Sequence, residues 1–527
     1  MSHKRVRLRP AGEADLAGIV EVFWACWTES HAAFATPEEL ARLTRRDADE
    51  LWRIAYLSTL PERARNEQVE ATRSVVTTVA TVDERIVGFL RYQLIDGELF
   101  IHSLYVDPSL QGAGVGARLM RCALRAGAAA GADRGRLWVF TANEQARAFY
   151  RSYGWLPDGR TRTEDQFGMP ELGLGTLSVA ATRVAETLIS REICTDPEET
   201  SPAGTAVAFA RGEEEGIAVA GTRGAPDRPV TLGTRWDVAS VTKLVTTTIC
   251  LGLVSAGILD LDAPVDRVLP ELAGRGITAR SLLQHESGLL PWQPLDRAGI
   301  GPDAALATIA ALPTGTPGEH VYSDLGLISL GVLLTRLTGD DLPELLRRWV
   351  NEPLGLDLRY GPVDEPVADS APDDRIEQRM VHTGEPYPVL LPGPEPAWQT
   401  EPFRGAVHDG NARRALGGIS AHAGIFATIG DLLELGLALS DGPSRTGLWT
   451  AEAYQRFLDE PLGFRTRTLT DGATLHYHPG FTGCALGFVA GEHRAYALTA
   501  NRLLTPGTPV STERLWSRVL DDLGGLA

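Results

Sequence analysis

The chain of 527 residues has almost no lysine. Of 50 basic residues only Lys4 and Lys243 are lysines, and arginine supplies the rest. Lys4 stands at the N-terminus, so one internal ammonium remains. Cysteine is also sparse: the five, at 26, 122, 194, 250 and 484, form no close pair and no metal-ligand spacing, and an odd count argues against a disulfide framework. No stretch approaches the roughly 18 apolar residues of a membrane span. The opening residues lack the apolar core of a secretory signal and run instead into Ala11-Gly12-Glu13-Ala14-Asp15. Nor is there a run of basic residues, and a net charge of −18 repels a phosphate backbone. These absences predict a protein of the reducing cytoplasm, with neither nucleic acid nor membrane as partner. The length predicts two to four domains of about 150 residues each.

The one internal lysine lies in Trp236-Asp237-Val238-Ala239-Ser240-Val241-Thr242-Lys243. Ser240 and Lys243 are one helical turn apart, so their side chains share a face, and Ser-x-x-Lys is the spacing of an activated serine nucleophile. Arginine stays protonated at any working pH, whereas a buried lysine can lose its proton and act as a base. The apolar run after it, Lys243 to Ala256, predicts a long helix that buries the lysine.

In the first third, Arg5 to Arg9 reads as a strand, Glu13 to Trp27 has helical spacing, and Val75 to Val82 with Ile86 to Leu94 reads as a hairpin around Asp83-Glu84. A further strand, Leu99 to Pro108, leads into Gln111-Gly112-Ala113-Gly114-Val115-Gly116-Ala117 and a helix expected onward from Arg118. Glycines at a helix start let backbone amides cradle an anionic pyrophosphate. With Asn143-x-x-Ala146-x-x-Phe149-Tyr150 and Gly154-Trp155 downstream, residues 5 to 178 resemble the GNAT acetyltransferase family. The resemblance implies a mixed twisted sheet with flanking helices and acetyl-CoA in a cleft between splayed parallel strands. The cofactor would lie against Leu104, Val106 and the amides of residues 111 to 117, with Asn143 facing it. Tyr150 would be the general acid for the departing thiolate. His102 is a candidate base on the strand opposite the cofactor, and Glu98 is a second, since Phe100 stands where many relatives carry a carboxylate.

From Ser178 a helix and paired strands at Gly204 to Ala210 and Gly216 to Gly221 open a second region. Its motifs are Ser240-x-x-Lys243, then Leu282 to Leu289 with His285 and Ser287-Gly288, then Tyr322-Ser323-Asp324, and near the end His478-Pro479-Gly480-Phe481. In this order they resemble the superfamily of class C β-lactamases, esterases and penicillin-binding proteins, and Val407-His408-Asp409 with Gly417-Gly418 and Gly424-Ile425-Phe426 points to an esterase-like branch. The implied fold is an antiparallel sheet beside an all-helical subdomain, spanning 179–527 after an acetyltransferase domain of 1–178.

The resemblance implies that Ser240 attacks an acyl carbon, Lys243 takes or relays its proton, and Tyr322 passes a proton to the leaving group. The amides of Ser240 and Phe481 would hold the oxyanion, and His478 takes the place of the lactamases' lysine. Asp324 stands where lactamases have asparagine. Pro479 replaces a threonine and removes a hydroxyl and an amide that would meet a substrate carboxylate, which argues against efficient penicillin turnover. His285, Glu286, Asp409 and His422 lie in separate segments, so no metal is expected. The stretch Gly361 to Arg404, too long for a plain connector, is expected to wall the site.

The expected protein is thus bifunctional: an acetyl-CoA-dependent N-acetyltransferase for a small amine, joined to a serine esterase or amidase for a small intracellular acyl substrate, in specialised metabolism or self-resistance. A transacylase in place of the hydrolase, or one domain reduced to ligand binding, are the alternative readings.

Overall fold

The computed structural model describes residues 6–57, 75–460 and 462–524; Lys4 lies outside them. The chain divides into two compact units, Met1–Arg183 with Glu213–Ala218, and Val184–Gly212 with Val219–Ala527.

The first unit is built on seven strands: β1 (Arg7–Pro10), β2 (Val76–Val82), β3 (Arg85–Ile95), β4 (Glu98–Val106), β5 (Gly135–Phe140), β6 (Leu156–Thr163) and β7 (Pro170–Thr176), in the order β1-β2-β3-β4-β5-β7-β6. The β2–β3 hairpin closes through Asp83 and Glu84, both left-handed (φ 48° and 64°), the turn geometry that suits the twist of paired strands. Only β4 and β5 run parallel, and they pair just over Leu99 to Ile101 with Gly135 to Leu137. Beyond Ile101 the two strands part, which opens the cleft. The β3–β4 register slips by one at His102, between the pairs Arg91–Ser103 and Tyr92–Ile101, so His102 is a β-bulge.

Helices cover the sheet. In α1 (Leu16–Ala25) the residues Ile19, Val20 and Phe23 pack with Trp27, Trp52 and Phe89 in an aromatic core. Helix α2 (Val115–Ala129) begins three residues earlier than expected from the sequence, buries Val115, Leu119, Met120, Ala123 and Leu124 along one stripe, and has Gly114 as its N-cap. Helix α3 (Glu144–Arg151) follows Asn143.

The main sheet of the second unit carries β8 (Gly204–Arg211), β9 (Arg465–Thr468), β10 (Thr474–Pro479), β11 (Ala485–Val489) and β12 (Arg494–Ala500) in the spatial order β8-β12-β11-β10-β9. All pairs are antiparallel. Every residue of β12 is buried, as a central strand covered on both faces must be.

Helix α4 (Thr242–Ser255) is buried from Thr242 to Leu253. Its buried polar side chains are Lys243 and four threonines; Thr246, Thr247 and Thr248 donate to the carbonyls of Ala421, Lys243 and Leu244, and the Thr242 hydroxyl accepts the Ile425 N–H. Helix α5 (Asp324–Thr338) is buried from Leu325 to Leu334, capped by the Ser323 hydroxyl on Gly326 N–H and ended by left-handed Gly339. Both buried helices carry one of the sequence motifs at their N-terminal ends.

Candidate active sites

In the second unit, Ser240 lies in the turn (Ala239–Val241) that leads into α4. Ala239 before it is left-handed (φ 46°), a conformation an alanine adopts only when its surroundings impose it. One helical turn on, Lys243 is 1% exposed. Its Nζ donates to Ser240 Oγ at 2.9 Å and to the His422 carbonyl at 3.2 Å, and pairs with Asp324 at 2.8 Å. Tyr322, just ahead of α5, hydrogen-bonds Ser240 Oγ at 3.1 Å, and Lys243 Nζ stands 4.9 Å from its ring centre. The fold therefore converges two motifs on one hydroxyl.

Two effects act on the Lys243 ammonium in opposite directions. Burial pushes its ammonium down, but the Asp324 carboxylate and the Tyr322 hydroxyl outweigh burial and hold it above the ordinary lysine value. Asp324, read from sequence only as a departure from asparagine, is the cause.

His478 is buried on β10, with Nδ1 2.8 Å from the Pro479 carbonyl and its ring 6.2 Å from that of Tyr322. Burial and the Lys243 charge hold its imidazole neutral, well below the ordinary histidine value. His285 packs on Tyr322 from the other side (4.6 Å between ring centres) and accepts the Ser323 N–H at Nδ1; burial lowers it to about 4. Tyr322 is therefore bordered by two neutral imidazoles, the Lys243 ammonium and, farther out, the Arg465 guanidinium, so negative charge on its oxygen is stabilised by these two cations.

Phe481 follows β10. A Cβ on Gly480 would lie 2.4 Å from the Val238 carbonyl, so only glycine lets this strand end approach the nucleophile turn so closely. Its own ring is half exposed, stacked on His408 and beneath Arg502, whose Nε donates to the Phe481 carbonyl at 2.7 Å. Ser240 opens a helical segment, where an N–H lacks an intrahelical acceptor.

Asp409 and His422, thirteen residues apart, meet here. His422 Nε2 is 3.0 Å from Asp409 Oδ1 and its Nδ1 is 2.7 Å from the Ser420 hydroxyl. With Asp324 they form a group whose ligand atoms lie within 4.8 Å of one another. The Asp324 oxygen of the group is engaged by the Lys243 ammonium, so the cation this acidic cluster already serves is the protein's own.

Within Gly361 to Arg404 lies a helix, Arg375–Thr383, followed by a strap held by buried Gln293: its Nε2 donates to the Pro388 carbonyl at 2.7 Å and its Oε1 accepts the Leu390 N–H at 2.8 Å. Tyr387 on this strap is raised by burial and by the charges of Asp324 and Tyr322. At the rim, Arg465 holds its guanidinium 5.8 Å from the Tyr322 ring centre.

In the first unit, Gly112 and Gly114 are left-handed (φ 78° and 83°), and a Cβ on either would meet nothing within 4 Å. The loop needs glycine for its backbone and presents open space above it. The N–H groups of Gln111 and Ala113 are used inside the turn, on the carbonyls of Pro108 and Leu110. Those of Val115, Gly116 and Ala117 form the first turn of α2, where N–H groups point outward at the positive end of the helix dipole. An anion has fewer donors here than the full run 111 to 117, but they suit a pyrophosphate. Leu104 and Val106 pair with Leu90 and Gly88 on β3, on the stretch of β4 that has left β5.

The other expected site residues divide. Tyr150 is buried on α3, against Trp155 and Phe149, and burial raises its phenol above the ordinary value; it is protonated, as a general acid must be. Asn143 caps α3, its Oδ1 accepting the Ala146 N–H at 2.9 Å, so its oxygen serves the helix. His102 hydrogen-bonds Gln93 and is lowered to about 4 by the surrounding protein and by Arg91. Glu98, at the far end of β4 from the glycine loop, is paired with Arg136 at 2.8 Å. A carboxylate unmarked in the sequence, Glu171 on β7, is 8% exposed, raised by burial, bonded to Arg162 at 2.7 Å, and opposite Phe140 where β5 ends.

The family model for beta-lactamase matches residues 189–520, more than half of the chain, and that for the acetyltransferase (GNAT) family matches residues 37–155. The chain belongs to the beta-lactamase family. Its first unit is a GNAT acetyltransferase domain, and the second has the beta-lactamase-like fold of serine hydrolases and esterases. A putative D-alanyl-D-alanine carboxypeptidase of Escherichia coli K12 is 27% identical over 330 residues, 54% of this chain and 73% of its own length. Esterase EstB of Burkholderia gladioli is 33% identical over 187 residues, 31% of this chain and 46% of its own. A penicillin-binding-protein homologue from Caulobacter crescentus aligns over 66% of this chain and 96% of its own at 22% identity and a TM-score of 0.49. Among the described residues of this beta-lactamase-family protein no helix is long and apolar enough to cross a membrane.

Proposed function

We propose that the beta-lactamase-like unit is an acyl hydrolase of small esters or amides with Ser240 as nucleophile, and that the GNAT unit transfers acetyl from acetyl-CoA to a small amine. The observation that carries the first half is a serine hydroxyl within hydrogen-bond reach of both a buried ammonium and a tyrosine hydroxyl. As Ser240 Oγ attacks, Tyr322, working as a phenolate beside the Lys243 ammonium, takes the serine proton and becomes the neutral phenol. The oxyanion is held by the Ser240 and Phe481 amides, each donor worth about 3 kcal/mol. Tyr322 then protonates the leaving group, and water resolves the acyl-enzyme by the reverse path.

The relatives span a carboxypeptidase and an esterase. Pro479 and the half-exposed Phe481 ring favour the ester or simple amide side, while Arg465 offers a cation to a leaving group that bears a carboxylate. We therefore expect p-nitrophenyl butyrate to turn over and penicillin to turn over at least about 100-fold more slowly, the scale of losing a polar contact or two at a site built for them. Arg465→Ala should raise KM for a D-alanine-terminated amide and leave KM for the neutral ester unchanged. Ester turnover that survives Ser240→Ala would overturn the assignment.

For the acetyltransferase, the left-handed glycines, the open space above them and the first turn of α2 support pyrophosphate binding, and buried, protonated Tyr150 supports thiolate protonation. Acetyl-CoA supplies the acetyl group. The acceptor is a small amine, and the reading extends to an intracellular substrate in specialised metabolism or self-resistance, where acetyl-CoA is available. Acetyl-CoA binding measured by calorimetry, with Tyr150→Phe retaining affinity but losing turnover, is the expected result; loss of binding in that variant would contradict the role.

A further inference from the structure

Asp237 sits three residues ahead of Ser240 and is 3% exposed. Its carboxylate and its backbone carbonyl bind segments around Ser240. Oδ1 accepts the N–H of Ala239 at 2.9 Å, and Oδ2 accepts the N–H of His408 at 2.8 Å. Its backbone carbonyl accepts the hydroxyl of Thr482 at 2.7 Å, with the Cys484 thiol at 3.5 Å. One residue thus ties together the nucleophile turn, the 407–408 segment on which the Phe481 ring rests, and the loop after β10 that presents the Phe481 amide.

The strain at Ala239 explains why such a tie is needed. With φ at 46°, the residue before the nucleophile is in a conformation that relaxes if nothing holds it, and relaxation would swing the Ser240 amide. The carboxylate grips the N–H of that same residue. Thr482, adjacent to Phe481, anchors the second oxyanion donor to the same amino acid.

We propose that Asp237, in its ionised form, is the positioning residue of the oxyanion site, fixing the Ser240 and Phe481 amides relative to each other. The proposal rests on the reading of Ser240 as nucleophile. It adds a pH dependence, because both carboxylate oxygens face N–H donors: a proton on either puts a donor against a donor and breaks one bond.

Burial raises Asp237 to about 6; nearby Asp409 pushes the same way, and the two N–H bonds and Arg413 oppose. The groups facing it keep their charge state across this range. Despite burial, Asp409 is held below the ordinary carboxylate value, chiefly by His422. His408 is lowered to about 4 by burial, the Cys484 thiol is pushed up to about 12 by burial, and the Arg413 guanidinium stays cationic. The site is therefore competent above pH 6 and loosens below it.

The test is the second-order rate at which a fluorophosphonate modifies Ser240 in the full-length protein, followed by intact mass from pH 5 to 8. In wild type the rate should drop about tenfold through a step centred near pH 6. Asp237→Asn should label about 100-fold more slowly at pH 8 and lose the step, while His320→Asn, a change at an exposed imidazole beside the site, keeps it. Thr482→Val, which removes only the bond to the Asp237 carbonyl, should slow labelling and leave the step in place. A folded Asp237→Asn that labels at the wild-type rate or retains the step would overturn the proposal, and so would a wild-type profile flat between pH 5 and 8 should that variant fail to fold. Absence of labelling at every pH would instead remove the nucleophile reading beneath it.

Discussion

At Lys243, burial and an ion pair act in opposite directions, and the ion pair wins. A buried ammonium without a partner would shed its proton; with Asp324 at 2.8 Å it does not. The shift therefore has a sign that can be read in solution. Asp324→Asn removes the largest force holding the proton, so Lys243 titrates at a lower pH, and the alkaline limb of the ester-hydrolysis profile, where the ammonium is lost, should move to lower pH. An unmoved limb would place the titrating group elsewhere. Lys243→Arg keeps the charge but replaces a compact ammonium by a planar fork that cannot occupy the same point between Ser240 Oγ, Asp324 and the His422 carbonyl, and ester turnover should fall by at least about 100-fold.

At the scale of elements, two glycines decide how close backbone comes to chemistry. Gly480→Ala would drive a Cβ into the Val238 carbonyl at 2.4 Å, and since that atom is backbone the strand end must retreat. We expect ester turnover to drop by about 100-fold or more with the sheet intact by circular dichroism. Gly114→Ala meets no neighbour but must hold φ near 83°, at a cost of about 1–2 kcal/mol, so acetyl-CoA affinity should fall by roughly tenfold; unchanged affinity would mean that this turn does not hold the cofactor. Much of this level is legible in the sequence, because turns and capped helices have local signatures: the Asp83-Glu84 hairpin, the strand before the glycine loop and the apolar helix at Lys243 are all readable from spacing. The bulge at His102 is not, since one extra residue leaves the strand pattern of β4 intact, and neither is the end of pairing between β4 and β5 after Ile101.

For the molecule as a whole, the sequence carries its motifs in order but not their meeting points. Ser240, Tyr322 and Phe481 are legible because each sits in a recurrent motif, whereas the bond between Asp409 and His422, the ion pair of Asp324 with Lys243 and the tie from Asp237 to Thr482 depend on which segments the fold packs together. Glu171 has no sequence signal at all; its burial at the end of β7 marks it as a group to test beside His102 and Glu98 for the acceptor's proton. The two chemistries draw on disjoint sets of residues, so Ser240→Ala should leave acetyl-CoA affinity unchanged, and Gly114→Ala should leave Ser240 labelling unchanged. The central claim is that Ser240 is an activated nucleophile served by Lys243. Its most direct test is the intact mass of the full-length protein after exposure to a fluorophosphonate: the account predicts a single adduct on the wild type and none on Ser240→Ala or Lys243→Arg, and an unlabelled wild type, or an adduct that persists in Ser240→Ala, would contradict it.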